Sequence, residues 1–188
     1  MRGGIYVVMP ASEEFAAVTE RTQIEQAARG SADALAGLFE RHAAMVHRVA
    51  YRLTMSADDA EDLVQDVFIG LPEALAAYSG DGGFAAWLRR VTVRTTLMRL
   101  RSSRRRAATA IRADAEKEKT MSNFLLDRMA IATALAALPD DLRLVFMLAD
   151  IEGYAHAEIG GMLGIRTGTS EVRLHRARRK LRVLLGNA

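Results

Sequence analysis

Five carboxylates, Asp58, Asp59, Glu61, Asp62 and Asp66, stand in one short stretch with no basic residue among them. Clustered carboxylates can coordinate a hard cation such as magnesium or calcium. They can stabilise a helix N-terminus through its dipole, or they can offer a charged face to water or to a basic protein. A helical two-metal site needs a second carboxylate cluster facing the first, and none is evident. On these grounds a solvated face ranks first, a protein contact second and a metal site third.

The opposite charge collects elsewhere. Arg89, Arg90, Arg94, Arg99, Arg101, Arg104, Arg105, Arg106 and Arg112 follow one another with no acid between them, directly after Tyr78, Phe84 and Trp87. Guanidinium groups contact phosphates and read base edges. Aromatic rings in a positive groove hold unstacked bases. Core packing ranks ahead of that role for Phe84 and Trp87, whereas a solvated face ranks behind it for Arg90, Arg94 and Arg101, because no acid balances them. A second basic block runs from Arg173 to Arg182. The net charge is only +3, so it is the segregation of charge, not its total, that predicts polyanion binding at two separate places.

The elements that must position these residues read as helices. Ala and Leu are abundant and aromatics make up only 6% of the chain, a mixture that loses little side-chain freedom in a helix. Residues 1–22 read as a loose extension. Ser31 caps a helix carrying Leu35, Leu38, Phe39, Val46, Val49 and Leu53 at helical spacing. Ser56, with Asp59 three residues on, opens a second helix, and Pro72 predicts a kink or break near residues 68–72. Ser79–Gly83 is a loop, and Phe84 starts the arginine-rich helix.

Residues 102–122 lack an apolar stripe and read as a partly helical tether. Pro139, Asp140 and Asp141 suit a helix start. A short helix around Ala157–Leu163, a break at Gly164 and a long basic helix from Thr167 form a helix-turn-helix pattern. No strand is expected. The absence of cysteine excludes disulfides and thiolate metal sites and suits a reducing compartment. The apolar run near the N-terminus is too short for a signal peptide or a membrane span, so a cytoplasmic location without membrane insertion is expected.

Two segments then resemble a single family. Asp58-Asp59-Ala60-Glu61-Asp62-Leu63-Val64-Gln65-Asp66-Val67-Phe68, followed by Phe84-Ala85-Ala86-Trp87-Leu88-Arg89-Arg90-Val91, resembles region 2 of bacterial sigma factors. Leu138-Pro139, Glu158-Ile159, Leu163-Gly164-Ile165, Gly168-Thr169 and Arg173–Leu181 resemble region 4. The order and spacing match the small extracytoplasmic-function (ECF) type, which lacks region 3.

The resemblance implies an all-α protein of two small helical domains joined by a flexible linker. It divides the chain into an extension (1–22), region 2 (23–106), a linker (107–124) and region 4 (125–188). It implies no catalysis, no cofactor and no metal. The implied partners are the clamp of the largest RNA polymerase subunit, promoter DNA and an anti-sigma factor. Asp58, Glu61, Asp62, Gln65 and Asp66 would meet the polymerase. Tyr78, Phe84, Trp87, Arg90, Arg94 and Arg101 would take the −10 element. Thr169, Glu171, Arg173, Arg176 and Arg179 would take the −35 element. A helix-turn-helix regulator with an unrelated N-terminal module is the competing reading, and a metal-dependent helical enzyme is the third.

Several positions depart from the family pattern. Arg94 stands where Asn is usual, Met98 where Asp is usual and Pro72 where Trp is common. Ser170-Glu171-Val172 replaces Val-Lys-Ser, and Gly160-Gly161 replaces Ala-Glu. Each helical glycine is expected to cost roughly 1 kcal/mol relative to alanine.

Overall fold

A computed structural model describes the backbone of residues 11–109 and 126–186, and side chains over 20–105 and 130–186. All the regular structure in these residues is helical.

The chain starts with α1 (Ala11–Ala28), which packs on α2 (Ala32–Thr54). This corrects the expectation of a loose extension across 1–22; residues 1–10 lie outside the described set. Ile24 and Ala27 of α1 enter the core, and Glu20 accepts from Arg41 at 3.4 Å and lies 3.1 Å from the buried His42 ring. Among the described side chains of α1, these two apolar residues are the buried ones, too few to mark an apolar stripe in the sequence.

Both predicted serine caps form. Ser31 Oγ accepts from the Ala34 amide at the start of α2, and Ser56 Oγ accepts from the Asp59 amide at the start of α3 (Ala57–Ile69). The chain breaks at Gly70 and resumes as the single turn α4 (Leu71–Ala74), with Pro72 in the first turn, where its missing N–H does no harm. Leu38, Val46, Val67, Leu71, Phe84 and Leu88 fill the core between α1, α2, α3 and the next helix.

That helix, α5 (Phe84–Thr109), runs further than its apolar residues require. Residues 102–109 form the helical part of the expected tether, since Arg and Ala favour a helix without help from a packed stripe. The rest of the expected linker lies outside the described residues.

In the second half, α6 (Leu126–Ala136), α7 (Asp140–Phe146), α8 (His156–Leu163) and α9 (Thr167–Gly186) follow. Beyond α7 the chain continues as a wider π-turn over Met147–Ile151. Leu138, Ala134, Ala177 and Leu181 form one small core. Gly164 ends α8 in the left-handed conformation (φ 66°), and its N–H returns to the Gly160 carbonyl. A Cβ on Gly160 would lie 2.8 Å from the Ile165 carbonyl oxygen, whereas one on Gly161 would meet nothing. Gly160 is therefore demanded by the tight turn. This corrects the expectation that both glycines merely weaken α8.

The two halves pack against each other. One apolar cluster joins Val49 and Leu53 of α2 and Val93 and Leu97 of α5 to Leu144, Val145, Met147, Leu148, Ile159 and Leu174 of the second half.

Candidate nucleic-acid and polymerase interface

The acidic residues occupy the outer side of α3. Leu63, Val64 and Val67 turn inward and are buried, leaving Asp58, Glu61, Asp62, Gln65 and Asp66 exposed. Helical spacing dictates this division. Arg99 of α5 reaches across to two of the carboxylates, donating to Asp62 at 2.5 Å and to Asp66 at 2.8 Å. Partial burial disfavours the Arg99 charge, but hydrogen bonds and the charges of Asp62 and Asp66 outweigh it and hold its pKa above the ordinary arginine value. The acidic face is thus partly neutralised from within, with Asp58 and Glu61 outside this pair. Phe68 is half-buried, packs against the core and holds its ring edge-on to Phe39 at 5.0 Å. Among the described residues no three acids or histidines converge to hold a metal ion.

The aromatic residues gather where α5 begins. Tyr78 lies 5.7 Å from Phe84 and 5.1 Å from Trp87, and Phe84 lies 5.6 Å from Trp87. At Phe84 it is the core-packing reading that holds and the base-binding one that is corrected. Phe84 is only 2% exposed and packs against His42 as well, so it has no free face for a base. It supports Tyr78 and Trp87, which keep partly open surfaces.

Arg90, Arg94 and Arg101 follow on α5 and are exposed, with no ion pair to the described residues. They line a cleft of about 580 Å³ together with Leu97, Met98 and, from the second half, Tyr154, Glu158, Gly161 and Met162. Three other arginines of α5 are taken up differently. Arg89 bonds Glu152 at 3.5 Å, Arg99 bonds the α3 acids and Arg104 bonds Asp140 at 3.3 Å. No acid lies near them in the sequence, yet tertiary contact supplies one to each.

The helix-turn-helix holds together through polar contacts as well as apolar ones. Glu158 accepts from the Ala155 amide at 2.8 Å and caps α8. His156 Nδ1 lies 2.9 Å from Ser170 Oγ, and Ser170 is fully buried. Ser170, a departure from the family pattern, thereby ties α8 to α9. Leu174, Ala177 and Leu181 of α9 face inward at helical spacing. Thr169, Glu171, Arg176 and Arg179 face outward and are exposed. Arg173 is half-buried and bonds Asp141 at 3.3 Å. Arg178 grips Asp150 with two bonds, at 2.9 and 2.6 Å, and this pairing raises its pKa.

Sequence reading missed Glu152, whose side chain is 1% exposed and sits between Arg52 and Arg89. In the sequence it is one of two acids, with Asp150, that follow the apolar run ending at Ala149, and nothing there sets it apart. Tyr154 was missed too. Burial first, and then the Glu152 charge, raise its pKa against the opposing pull of Arg90 and Arg89.

Comparison with known proteins places this arrangement. Residues 38–106 match the model for Sigma-70 region 2, and residues 128–181 match that for Sigma-70 region 4. The ECF RNA polymerase sigma factor SigM of Mycobacterium tuberculosis is 32% identical over 149 residues, which cover 79% of this chain and 76% of SigM. The chain belongs to the ECF RNA polymerase sigma factor family.

SigL of the same organism is 34% identical over 170 residues, covering 87% of this sigma factor and 95% of SigL. SigE of Mycolicibacterium smegmatis is 36% identical over 165 residues, but the match spans only 63% of SigE and 84% of this chain. Among solved structures, CnrH in complex with the cytosolic domain of CnrY is 30% identical with a TM-score of 0.53, covering 89% of this chain and 97% of CnrH. The sigma factor RpoE in complex with the anti-sigma factor NepR, from Bartonella quintana, shares the fold at 23% identity and a TM-score of 0.56, covering 79% of this chain and 94% of RpoE. No helix among the described residues is long and apolar enough to cross a membrane.

Proposed function

We propose that this sigma factor binds core RNA polymerase and directs it to promoters in the cytoplasm, with no catalysis of its own. The observation that carries the reading is the outer face of α3. Asp58, Glu61, Asp62, Gln65 and Asp66 are all exposed opposite a buried apolar stripe, within the segment that matches region 2. That face docks on a basic surface of the polymerase clamp. Tyr78 and Trp87, backed by Phe84, take an unstacked base of the −10 element, and Arg90, Arg94 and Arg101 take its phosphates. Unstacking costs a few kcal/mol, which binding of the exposed strand offsets. Thr169, Glu171, Arg176 and Arg179 present the outer face of α9 to the major groove of the −35 element, where Glu171 accepts a hydrogen bond from cytosine N4. Arg173 serves there while remaining anchored to Asp141.

Residues 23–106 and 125–188 act as the two functional units, with 107–124 linking them and 1–22 preceding them. An anti-sigma factor holds the protein inactive. The solved structures of CnrH with CnrY and of RpoE with NepR support this part of the reading.

The test is the double variant Asp62→Lys/Asp66→Lys, assayed for binding to core polymerase by fluorescence anisotropy. Binding should weaken at least about a hundredfold, as expected for reversing two charges in a desolvated contact. Wild-type affinity in this variant would exclude α3 as the docking face.

A further inference from the structure

We infer that the chain alone, without any partner protein, holds a closed state in which its second half walls the cleft onto which the promoter-reading arginines of α5 open, and that Glu152 is the latch. The inference rests on the sigma-factor reading for the meaning of α5, but its physical basis is separate.

Glu152 lies at the end of the π-turn and donates nothing to the core of its own half. Its carboxylate is 1% exposed, yet the partners that neutralise it, Arg52 at 3.0 Å and Arg89 at 3.5 Å, both belong to the first half. A buried carboxylate without a cation is strongly disfavoured, so Glu152 is comfortable only when the halves are together or when they part far enough for water to reach it. The two arginines are 40% and 44% exposed and are solvated in either state. The latch is therefore asymmetric: its energetics reside in the carboxylate.

Packing acts in the same direction. Each half has a core of its own, around Leu38, Leu71 and Phe84 in the first and around Leu138 and Ala177 in the second. Val49, Leu53, Val93 and Leu97 are buried in the cluster that the halves share. Parting the halves would wet that cluster, so closure hides apolar surface as well as pairing a charge. The result is steric. Tyr154, Glu158 and Met162 stand across the cleft from Arg90, Arg94 and Arg101, where a DNA strand would have to lie. Glu158 adds a negative charge that repels phosphate from the same place.

The test uses the full chain. It contains no cysteine, so the pair Ala44→Cys and Val183→Cys, one exposed site in each half, can carry spin labels cleanly. Distance distributions are recorded for this background and with Glu152→Gln or Arg52→Ala added. Affinity for a short mixed-sequence single-stranded DNA is measured in parallel, and circular dichroism checks helicity. The background should give one narrow, short distance. Both variants should broaden it toward longer distances and bind the strand about fivefold more tightly, the gain expected when a masked state loses most of its advantage. Arg52→Ala changes a half-exposed side chain, so it reports on the latch even if Glu152→Gln unfolds.

A broad background distance, or variants unchanged in both distance and affinity, overturns the latch. Opening without tighter binding overturns the masking. Binding to core polymerase, measured on the same samples, separates this from the function proposed above. An intact latch in a chain that never binds polymerase sinks the sigma-factor reading alone, and a polymerase-binding chain with no latch sinks only the closed state.

Discussion

The two arginine-rich helices, α5 and α9, look alike in the sequence and differ in what surrounds them. On α5, Arg89, Arg99 and Arg104 pair with acids distant in the chain, and Arg90, Arg94 and Arg101 open onto a cleft walled by the second half. On α9, Arg173 and Arg178 are tied to Asp141 and Asp150, while Arg176 and Arg179 stand exposed with no ion pair to the described residues. Arg176 and Arg179 of α9 are available to a ligand as the protein stands, whereas the exposed Arg90, Arg94 and Arg101 of α5 face a cleft with a second wall, and Arg89, Arg99 and Arg104 are already partnered. A count of basic residues therefore says where polyanion binding can evolve, but not which charges are free to take part.

The contrast can be broken most sharply at Leu148, which is fully buried in the cluster shared by the halves. Leu148→Ala should lower the unfolding free energy by about 2–5 kcal/mol in a urea titration. If α5 is truly packed under the second half, probes in both halves should move together. Two separate transitions would mean that α5 is as open as α9.

A smaller effect sharpens the α9 side. Arg176→Ala should weaken binding to a promoter duplex by about 1–3 kcal/mol and flatten its salt dependence. Arg178→Ala, which removes a group already held by Asp150, should cost binding clearly less. Equal losses in the two variants would show that the Asp150 pair releases Arg178 to DNA and that the distinction between free and tied cations fails.

The turn that sets α9 against α8 yields a pair of opposite signs. Gly160→Ala should destabilise, because its methyl group meets the Ile165 carbonyl oxygen. Gly161→Ala should stabilise by about 0.5–1 kcal/mol through helix propensity alone. Thermal melts of the two variants decide this, and a loss in both would mean that the α8 surface is crowded in a way the packing does not show.

The smallest effect concerns Tyr154 in the cleft facing α5. Its pKa is raised in the folded protein, so its contribution is fully present below the ordinary tyrosine value of about 10 and is lost as pH rises through the raised value. Stability should fall in that alkaline window, and Tyr154→Phe should remove that part of the fall. An ultraviolet titration of the phenol checks the sign. An ordinary tyrosine pKa would mean that the cleft is wet and the cover over α5 loose.

Much of the fold was legible in the sequence because its signals are local. Ser31 and Ser56 cap helices, Pro72 breaks one and Gly164 turns another, each through a backbone or side-chain preference that acts within a few residues. The inward positions of α9 followed from helical spacing. α1 was missed because its buried apolar residues among those described, Ile24 and Ala27, are too few to make a periodic stripe. The helical part of the tether, 102–109, has no apolar stripe because propensity, not packing, keeps it helical. Phe84 was placed among the base-binding residues because a ring beside arginines can serve as core or as platform, and only its neighbours His42, Tyr78 and Trp87 decide.

By itself the sequence determined that the protein is helical, that it carries an acidic face and two basic helices, and that its motifs are those of sigma regions 2 and 4. Those properties depend on residue type and on spacings of three or four along a helix. The tertiary structure alone decided which charges are spoken for: Arg99 to Asp62 and Asp66, Arg178 to Asp150, and Glu152 to Arg52 and Arg89. Charges pair through space, and partners as far apart in the chain as Arg52 and Glu152 leave no periodic trace for a sequence to show.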